Sequence, residues 1–370
     1  MNKLKPKKKL RTKILHYTNS YFPFHGGIEL VIENISKELN KKGFQNDILT
    51  LNSVYGEKLP KKGKHNNSNI YRIPFIDFKY YKFSKIPFDL IKKYDIIHLH
   101  SLGFLSDFLL ATKPIHKKKI VLSTHGGIFH TKNVQTLKKI YFFGLQKQLL
   151  KNADKIIAVS QQDEELFKQI LPKEKVVLIE NGFSAPEPKG KKEMNSFLFV
   201  GRLSKNKGLF DLIDTFSKVE EEFILRIVGK DFDKILPELK AKVKQLGLEN
   251  KVFFIGEASV EKLNKPYSKS EYFVSASKYE GFGITAIEAM HYKCICILNS
   301  IPTFTQFCSK GRGVIVNYKE HKETAEKIEE LLGKNTKEKE KFIKNAKAYS
   351  KQFLWKQKIK EYEKFYKSII

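Results

Sequence analysis

Short runs rich in branched and aromatic residues alternate with helix-length amphipathic segments along this chain, then the alternation stops and starts again. KILHYTN, NDILTL, DIIHLH, KIVLST, DKIIAVS and KVVLIE read as strands, with segments such as IELVIENISKELNKK between several of them. Strand and helix in repetition require a parallel sheet covered on both faces. After Asn181-Gly182 comes FSAPEPKGKKEMN, rich in Pro, Lys and Gly without periodicity, which reads as a linker. Beyond it SFLFVG, ILRIVG, KVFFIG, EYFVSAS, CICIL and GVIVN read as strands, and KGLFDLIDTFSKV, ELKAKVKQLG and TAIEAMHY as helices. Two α/β doubly wound lobes of similar size follow, and 370 residues are enough for both. Ligands of such sheets bind beyond the carboxyl ends of the strands, so two facing lobes would share a cleft.

A hydrophobic fraction of 41%, with 29 Phe and 16 Tyr, excludes disorder despite a net charge of +29. That charge suits nucleic acid, an anionic membrane surface or phosphorylated substrates, and composition does not choose among them. The opening MNKLKPKKKLRTK is followed by too short an apolar segment for an export signal, and no apolar run has the length of a membrane span. The three cysteines have no zinc spacing; Cys294 and Cys296 share a face of a strand and are expected buried and reduced.

The loops at the strand ends hold the candidate chemistry. In the first lobe Gly26-Gly27 precedes a helix, where a missing side chain and free N–H groups suit an anion, although a plain tight turn gives the same sequence. In the second, VGRLSKNKG sets Arg202 and Lys207 between a strand and a helix, two cations suited to a diphosphate. In SKYEGFGITAIEAM, residues 277–290, Glu280 falls in the loop after a strand and Glu288 about one turn inside the next helix. They are expected to bind different parts of one ligand; helix capping is the structural alternative for Glu280.

Taken in order, GGIE, ADKIIAVSQQDEELF, VVLIENGF, VGRLSKNKG, the E-x7-E element from Glu280 to Glu288 and the closing FLWKQKIKEYEKFY resemble the retaining glycosyltransferases of family 4 over nearly the whole chain. STHGGIFHTKNVQTLKKIYF and YEGFGITAIEAM followed by NSIPTF are most similar to the GDP-mannose α-1,3-mannosyltransferases of lipid-linked exopolysaccharide assembly. His291-Tyr292-Lys293 departs from that subgroup, which has a small residue and Gly after EAM, so the turn before CICIL must be built differently.

The resemblance implies a GT-B fold. A first domain over residues 1–185 would bind the acceptor, a second over 186–350 the nucleotide sugar, and a helix over 351–370 would cross back to the first. It implies that Arg202 and Lys207 hold the diphosphate, Glu288 the ribose hydroxyls and Glu280 the transferred sugar. The backbone of Phe282, Gly283 and Ile284 would approach phosphate and sugar, and Gly27 would leave room from the other lobe. His125 matches a histidine close to the reacting sugar, and Ser160 is a weaker match on the sugar-donor side. No metal and no cofactor are implied beyond the nucleotide-sugar substrate, best taken as GDP-mannose with a UDP-sugar as the alternative.

Asp231-Phe232-Asp233 formally matches a metal-binding Asp-x-Asp pair, but it lies where the family has a glycine-rich turn. The acceptor is expected to be a glycan or a lipid-diphosphate-linked oligosaccharide. The basic clusters and YRIPFIDFKYYKFSKIPF, residues 71–88, then suggest a cytoplasmic enzyme peripheral on an anionic membrane, although a lysine-rich surface needs no membrane to explain it. Two other classes remain: a sugar-nucleotide epimerase of the same fold, which needs no acceptor, and a nucleic-acid-binding protein, which would have no use for the two glutamates.

Overall fold

The computed structural model describes residues 11–24, 26–54, 57–78, 81–100, 102–125, 144 and 146–370. It forms two compact units, residues 1–181 with 356–370, and residues 182–355.

In the first unit the strands are β1 (Lys13–Tyr17), β2 (Gln45–Leu51), β3 (Ser53–Val54), β4 (Glu57–Lys58), β5 (Lys62–His65), β6 (Ser68–Ile73), β7 (Phe75–Phe78), β8 (Tyr81–Ser84), β9 (Ile96–Leu99), β10 (Lys119–Ser123), β11 (Lys155–Ala158) and β12 (Val176–Leu178). Eight of them form one sheet in the order β12-β11-β10-β9-β1-β2-β6-β5, parallel except for the β5–β6 pair. Leu15, Tyr17, Leu49, Ile97 and Leu99 enter one core, while Ile48 and Ile70 enter another on the opposite side. Both faces are therefore covered, as a parallel sheet requires. Helix α1 (Gly27–Lys41) buries Val31, Ile32, Ile35 and Leu39, a stripe at helical spacing.

The second unit carries β13 (Glu193–Val200), β14 (Ile224–Val228), β15 (Val252–Gly256), β16 (Ser270–Ser275), β17 (Ile295–Asn299) and β18 (Gly313–Val316) in the order β15-β14-β13-β16-β17-β18, all parallel. Phe197, Phe199, Tyr272 and Val274 pack on one side, and Leu198, Val200 and Phe273 on the other. All twelve strands expected from the alternation are present, and the architecture is the expected pair of doubly wound parallel-sheet units. Cys294, Cys296 and Cys308 are free and buried, and burial pushes the Cys308 thiol up to about 12.

The structure departs from the sequence reading in three stretches. Asn66 and Asn67, both with positive φ, form the two-residue turn that joins β5 to β6, a hairpin signal that periodicity alone passes over. Residues 71–88 are not one continuous segment. They contain the end of β6 and the separate hairpin β7–β8. The stretch after Gly182 is likewise more than a linker. Phe183 pairs with the chain at Leu354, its N–H donating to Phe353 O at 2.9 Å and its carbonyl accepting from Trp355 N–H at 3.0 Å. The Lys192 ammonium donates to the carbonyls of Tyr267 and Tyr292, at 2.9 and 2.7 Å.

The final helix, Trp355–Ile369, contributes its residues from Lys356 onward to the first unit. There Tyr366 meets His98 at 2.5 Å and Glu363 pairs with Lys42 at 2.6 Å. Among the described residues no helix is long and apolar enough to cross a membrane.

The departure at His291-Tyr292-Lys293 has a definite build. Lys293 takes the left-handed conformation, φ 64°, that glycine usually fills after a helix, and Cys294 N–H and Lys293 N–H close back on Ala289 O and Met290 O at 2.9 and 3.2 Å. This is a Schellman turn made without glycine. Lys293 is exposed, so Lys293→Gly should relieve the strain and raise unfolding stability by about 1 kcal/mol. Chemical denaturation of the two proteins checks this, and an unchanged or lower midpoint counts against it.

Candidate functional site

β13 and β16 are neighbours in their sheet, so the loops leaving their carboxyl ends run side by side. Gly208 has φ 64°, and a Cβ there would lie 2.2 Å from Ala276 O, so only glycine lets the two loops approach this closely. Asn206 then locks them: its side-chain amide donates to Tyr279 O at 3.0 Å, and its carbonyl accepts from Lys278 N–H at 2.9 Å. Lys207, at the end of the 3-10 turn Lys205–Lys207, meets Glu280 across this junction with Nζ and Oε1 2.6 Å apart. Their side chains are 16% and 13% exposed, so each charge has given up most of its water for the other.

Arg202 goes elsewhere. It is exposed, and its guanidinium lies 4.8 Å from the centre of the Phe232 ring. The loop from β16 ends at Gly283, φ 80°, where the helix Ile284–His291 starts with no side-chain cap. Its first N–H groups lack the usual side-chain acceptor, which suits an anion. Phe282 is buried in the core, with Phe304 and Phe307 close to Gly283, so at this point only backbone is available to a ligand.

Glu288, one turn further on, accepts from Tyr267 OH at 2.9 Å and lines a small pocket with Ser184, Ala185, Leu263 and Asn264. Burial raises its carboxyl to about 7, and the Tyr267 hydrogen bond offsets part of that rise. The two glutamates are thus set apart as the spacing predicts, Glu280 in an ion pair and Glu288 against a phenol.

Asp231 and Asp233 have structural work. The Asp231 carboxylate accepts from Ile235 and Leu236 N–H at the start of the helix Leu236–Gln245, and Asp233 accepts from Lys205 N–H.

In the first unit, a Cβ on Gly27 would meet nothing within 4 Å, whereas one on Gly26 would lie 2.4 Å from the Glu29 carboxylate. A side chain at Gly26 would therefore have to displace the Glu29 carboxylate, whereas one at Gly27 would meet nothing. Ser160 caps the helix Gln161–Lys168, its Oγ accepting from Asp163 N–H at 3.2 Å. His125 follows β10 with φ 39°, a backbone conformation unusual for histidine. It belongs to a cluster that the sequence reading missed. His16 Nδ1 and His100 Nε2 are 2.9 Å apart, as are His100 Nδ1 and His125 Nε2, and His98 lies between Tyr366 and Ser123.

The signal was the histidines at alternate positions of DIIHLH, with His16 opposite His98 in the β1–β9 register. His16, His98 and His100 bring nitrogens within 4.8 Å of one another, as a metal site would. Each ring nitrogen already faces a hydrogen-bonding neighbour, so the arrangement is that of a hydrogen-bonded network.

Comparisons with known proteins identify the family. Residues 25–185 match the profile of glycosyltransferase family 4 and residues 183–349 that of glycosyl transferases group 1. A GDP-mannose:cellobiosyl-diphosphopolyprenol alpha-mannosyltransferase of Xanthomonas oryzae is 31% identical over 86% of this chain and 87% of its own. The protein of the same name from Komagataeibacter xylinus is 28% identical over 82% and 80%. The crystal structure of Anabaena HepE in complex with UDP and glucose superposes with a TM-score of 0.77, at 19% identity, over 97% of this chain and 100% of that one. The two parallel-sheet units and these likenesses together establish that the chain belongs to the family 4 glycosyltransferases of GT-B fold.

Proposed function

We propose that this glycosyltransferase moves mannose from GDP-mannose to a lipid-diphosphate-linked oligosaccharide with retention of configuration. The observation that carries the reading is the Lys207–Glu280 pair beside an uncapped helix start, with Glu288 one turn away. Breaking a sugar–phosphate bond leaves the ring cation-like and the diphosphate more negative, so a fixed ammonium belongs at the phosphate and a carboxylate at the sugar. Lys207 takes the first role, joined by Arg202 swinging from Phe232, and Glu280 takes the second. The N–H groups at Gly283 and Ile284 receive phosphate oxygens, with Phe282 holding the loop against the core. Glu288 accepts from the ribose hydroxyls.

On the first unit, Gly27 leaves room at its helix start for the sugar donor and His125 stands at the reacting sugar. Ser160 acts by fixing the loop in which it caps. The choice of mannose, GDP and a lipid-linked acceptor is supported by the activity for which the Xanthomonas relative is named, and that protein aligns over most of both chains.

Attachment to an anionic membrane is supported by the hairpin β7–β8. Ile76, Phe78 and Phe83 are 66%, 63% and 40% exposed there, on the same hairpin as Lys82. Exposed apolar side chains next to lysines suit the headgroup boundary. Phosphatidylglycerol vesicles should sediment the protein, and Phe78→Ser with Phe83→Ser should release it at unchanged net charge. Equal binding by the variant would assign the attraction to lysines alone and remove the hairpin from the account.

The nucleotide reading makes a pH-dependent prediction. Ribose hydroxyls donating to Glu288 favour its ionised form, so binding lowers a carboxyl that stands at about 7 in the free protein. GDP affinity should therefore fall as the pH drops through 7, by about tenfold between pH 8 and pH 6. The diphosphate's own titration is common to wild type and Glu288→Gln, so the difference between them isolates the carboxyl. Calorimetric titration with GDP, UDP and ADP at both pH values checks this, GDP being the tightest. Preference for UDP would overturn the nucleotide, and a pH response equal in both proteins would overturn the role of Glu288. With GDP-mannose alone, conversion to another sugar nucleotide would point to an epimerase instead.

A further inference from the structure

The histidine cluster of the first unit has a direction that can be traced from the backbone. Asn46 N–H, which can only donate, meets Asn40 Oδ1 at 2.8 Å and so fixes which end of the Asn40 amide is the oxygen. The Asn46 side-chain atom 3.0 Å from that oxygen must then be the NH2 group, which leaves Asn46 Oδ1 facing His16 Nε2 at 3.0 Å. His16 Nε2 therefore carries the hydrogen, and in a neutral ring Nδ1 carries the lone pair. His100 Nε2 must donate to it, His100 Nδ1 becomes an acceptor, and His125 Nε2 must donate in turn.

We propose that this relay, Asn40–Asn46–His16–His100–His125, fixes His125 as the Nε2–H tautomer with its lone pair on Nδ1. The Nδ1 atom then presents an acceptor to a hydroxyl of the reacting sugar or the acceptor glycan. Asn46, His16 and His100 are positioning residues for His125, and this use of them rests on the placement of His125 at the reacting sugar.

Three features support the relay. Asn46, His16 and His100 are fully or almost fully buried, so water does not compete for the bonds. Burial keeps the rings neutral, holding His16 and His125 down at about 4 and His100 well below the ordinary histidine range. The His98 ring, held by Tyr366 and Ser123, lies 3.9 Å from the His100 ring between centroids and fixes its plane. The left-handed backbone of His125 is then matched by a side chain held at its far end.

Asn46→Leu removes the terminal acceptor. A buried N–H without a partner costs more than an unpaired nitrogen lone pair, so all three rings should reverse and His125 should become the Nδ1–H tautomer. Asn46→Asp, held as the neutral acid in this buried site, donates its hydroxyl to Asn40 Oδ1 and keeps a carbonyl acceptor for His16 Nε2, and should keep the original tautomer. Full-length protein labelled with 15N at histidine reports the tautomer by long-range proton–nitrogen correlation at pH 7. Nε2–H at His125 in wild type and Asn46→Asp, Nδ1–H in Asn46→Leu, and a loss of kcat of at least about tenfold in Asn46→Leu alone, with sugar-donor KM unchanged, are the expected results.

Nδ1–H at His125 in wild type overturns the relay whatever the kinetics and whether or not the variants fold. Unchanged tautomer and kcat in folded Asn46→Leu overturn it as well. Full kcat in His125→Ala instead overturns the placement of His125 at the sugar, on which the positioning role depends, and leaves the wild-type tautomer as a separate result.

Discussion

The Lys207 ammonium and the Glu280 carboxylate lie 2.6 Å apart with little of either side chain in contact with water, and each compensates the other for that loss. The surrounding loops are shaped to make the pairing possible. Gly208 admits the Ala276 carbonyl, Asn206 ties the two strand exits together, and Thr303 donates to the Glu280 carbonyl at 3.2 Å. Under the proposed function a sugar diphosphate would offer the same two charges in replacement, a phosphate for the ammonium and a cation-like ring for the carboxylate. Until it binds, the ion pair would hold both groups in place.

Parallel sheets explain why this chemistry gathers at loops. With both faces of each sheet covered, only strand ends and helix starts remain open to a ligand. Lys207 and Glu280 follow two adjacent strands of one unit, and His125 follows β10 of the other. The buried histidines sit one step behind His125 on β1 and β9, where polar side chains survive inside a core because each finds a partner.

Regular patterning made twelve of the fourteen strands in the two main sheets legible, because a strand buried on both faces leaves a run of apolar residues. The placement of Glu280 and Glu288 was partly legible: their spacing put one in a loop and one in a helix, but the phenol of Tyr267 against Glu288 comes from a helix twenty-one residues earlier. No local pattern shows such a partner. Arg202 and Lys207, five residues apart, looked like one phosphate clamp, yet their side chains part to Phe232 and Glu280. The relay was invisible for the same reason, since Asn46, His16, His100 and His125 lie on separate strands and strand ends that only the sheet brings together. At 183–192 composition misled, because the Lys192 ammonium packs against backbone carbonyls that a count of lysines cannot reveal.

A double-mutant cycle on kcat with Lys207→Met and Glu280→Gln distinguishes a catalytic pair from a merely structural one. If both groups act on the same transition state, each single variant loses about a hundredfold or more and the double variant does no better than the worse of them. If the pair only holds two loops together, each single change leaves a largely buried charge without its partner, and removing both relieves it. Recovery of activity in the double variant above both singles would contradict the account.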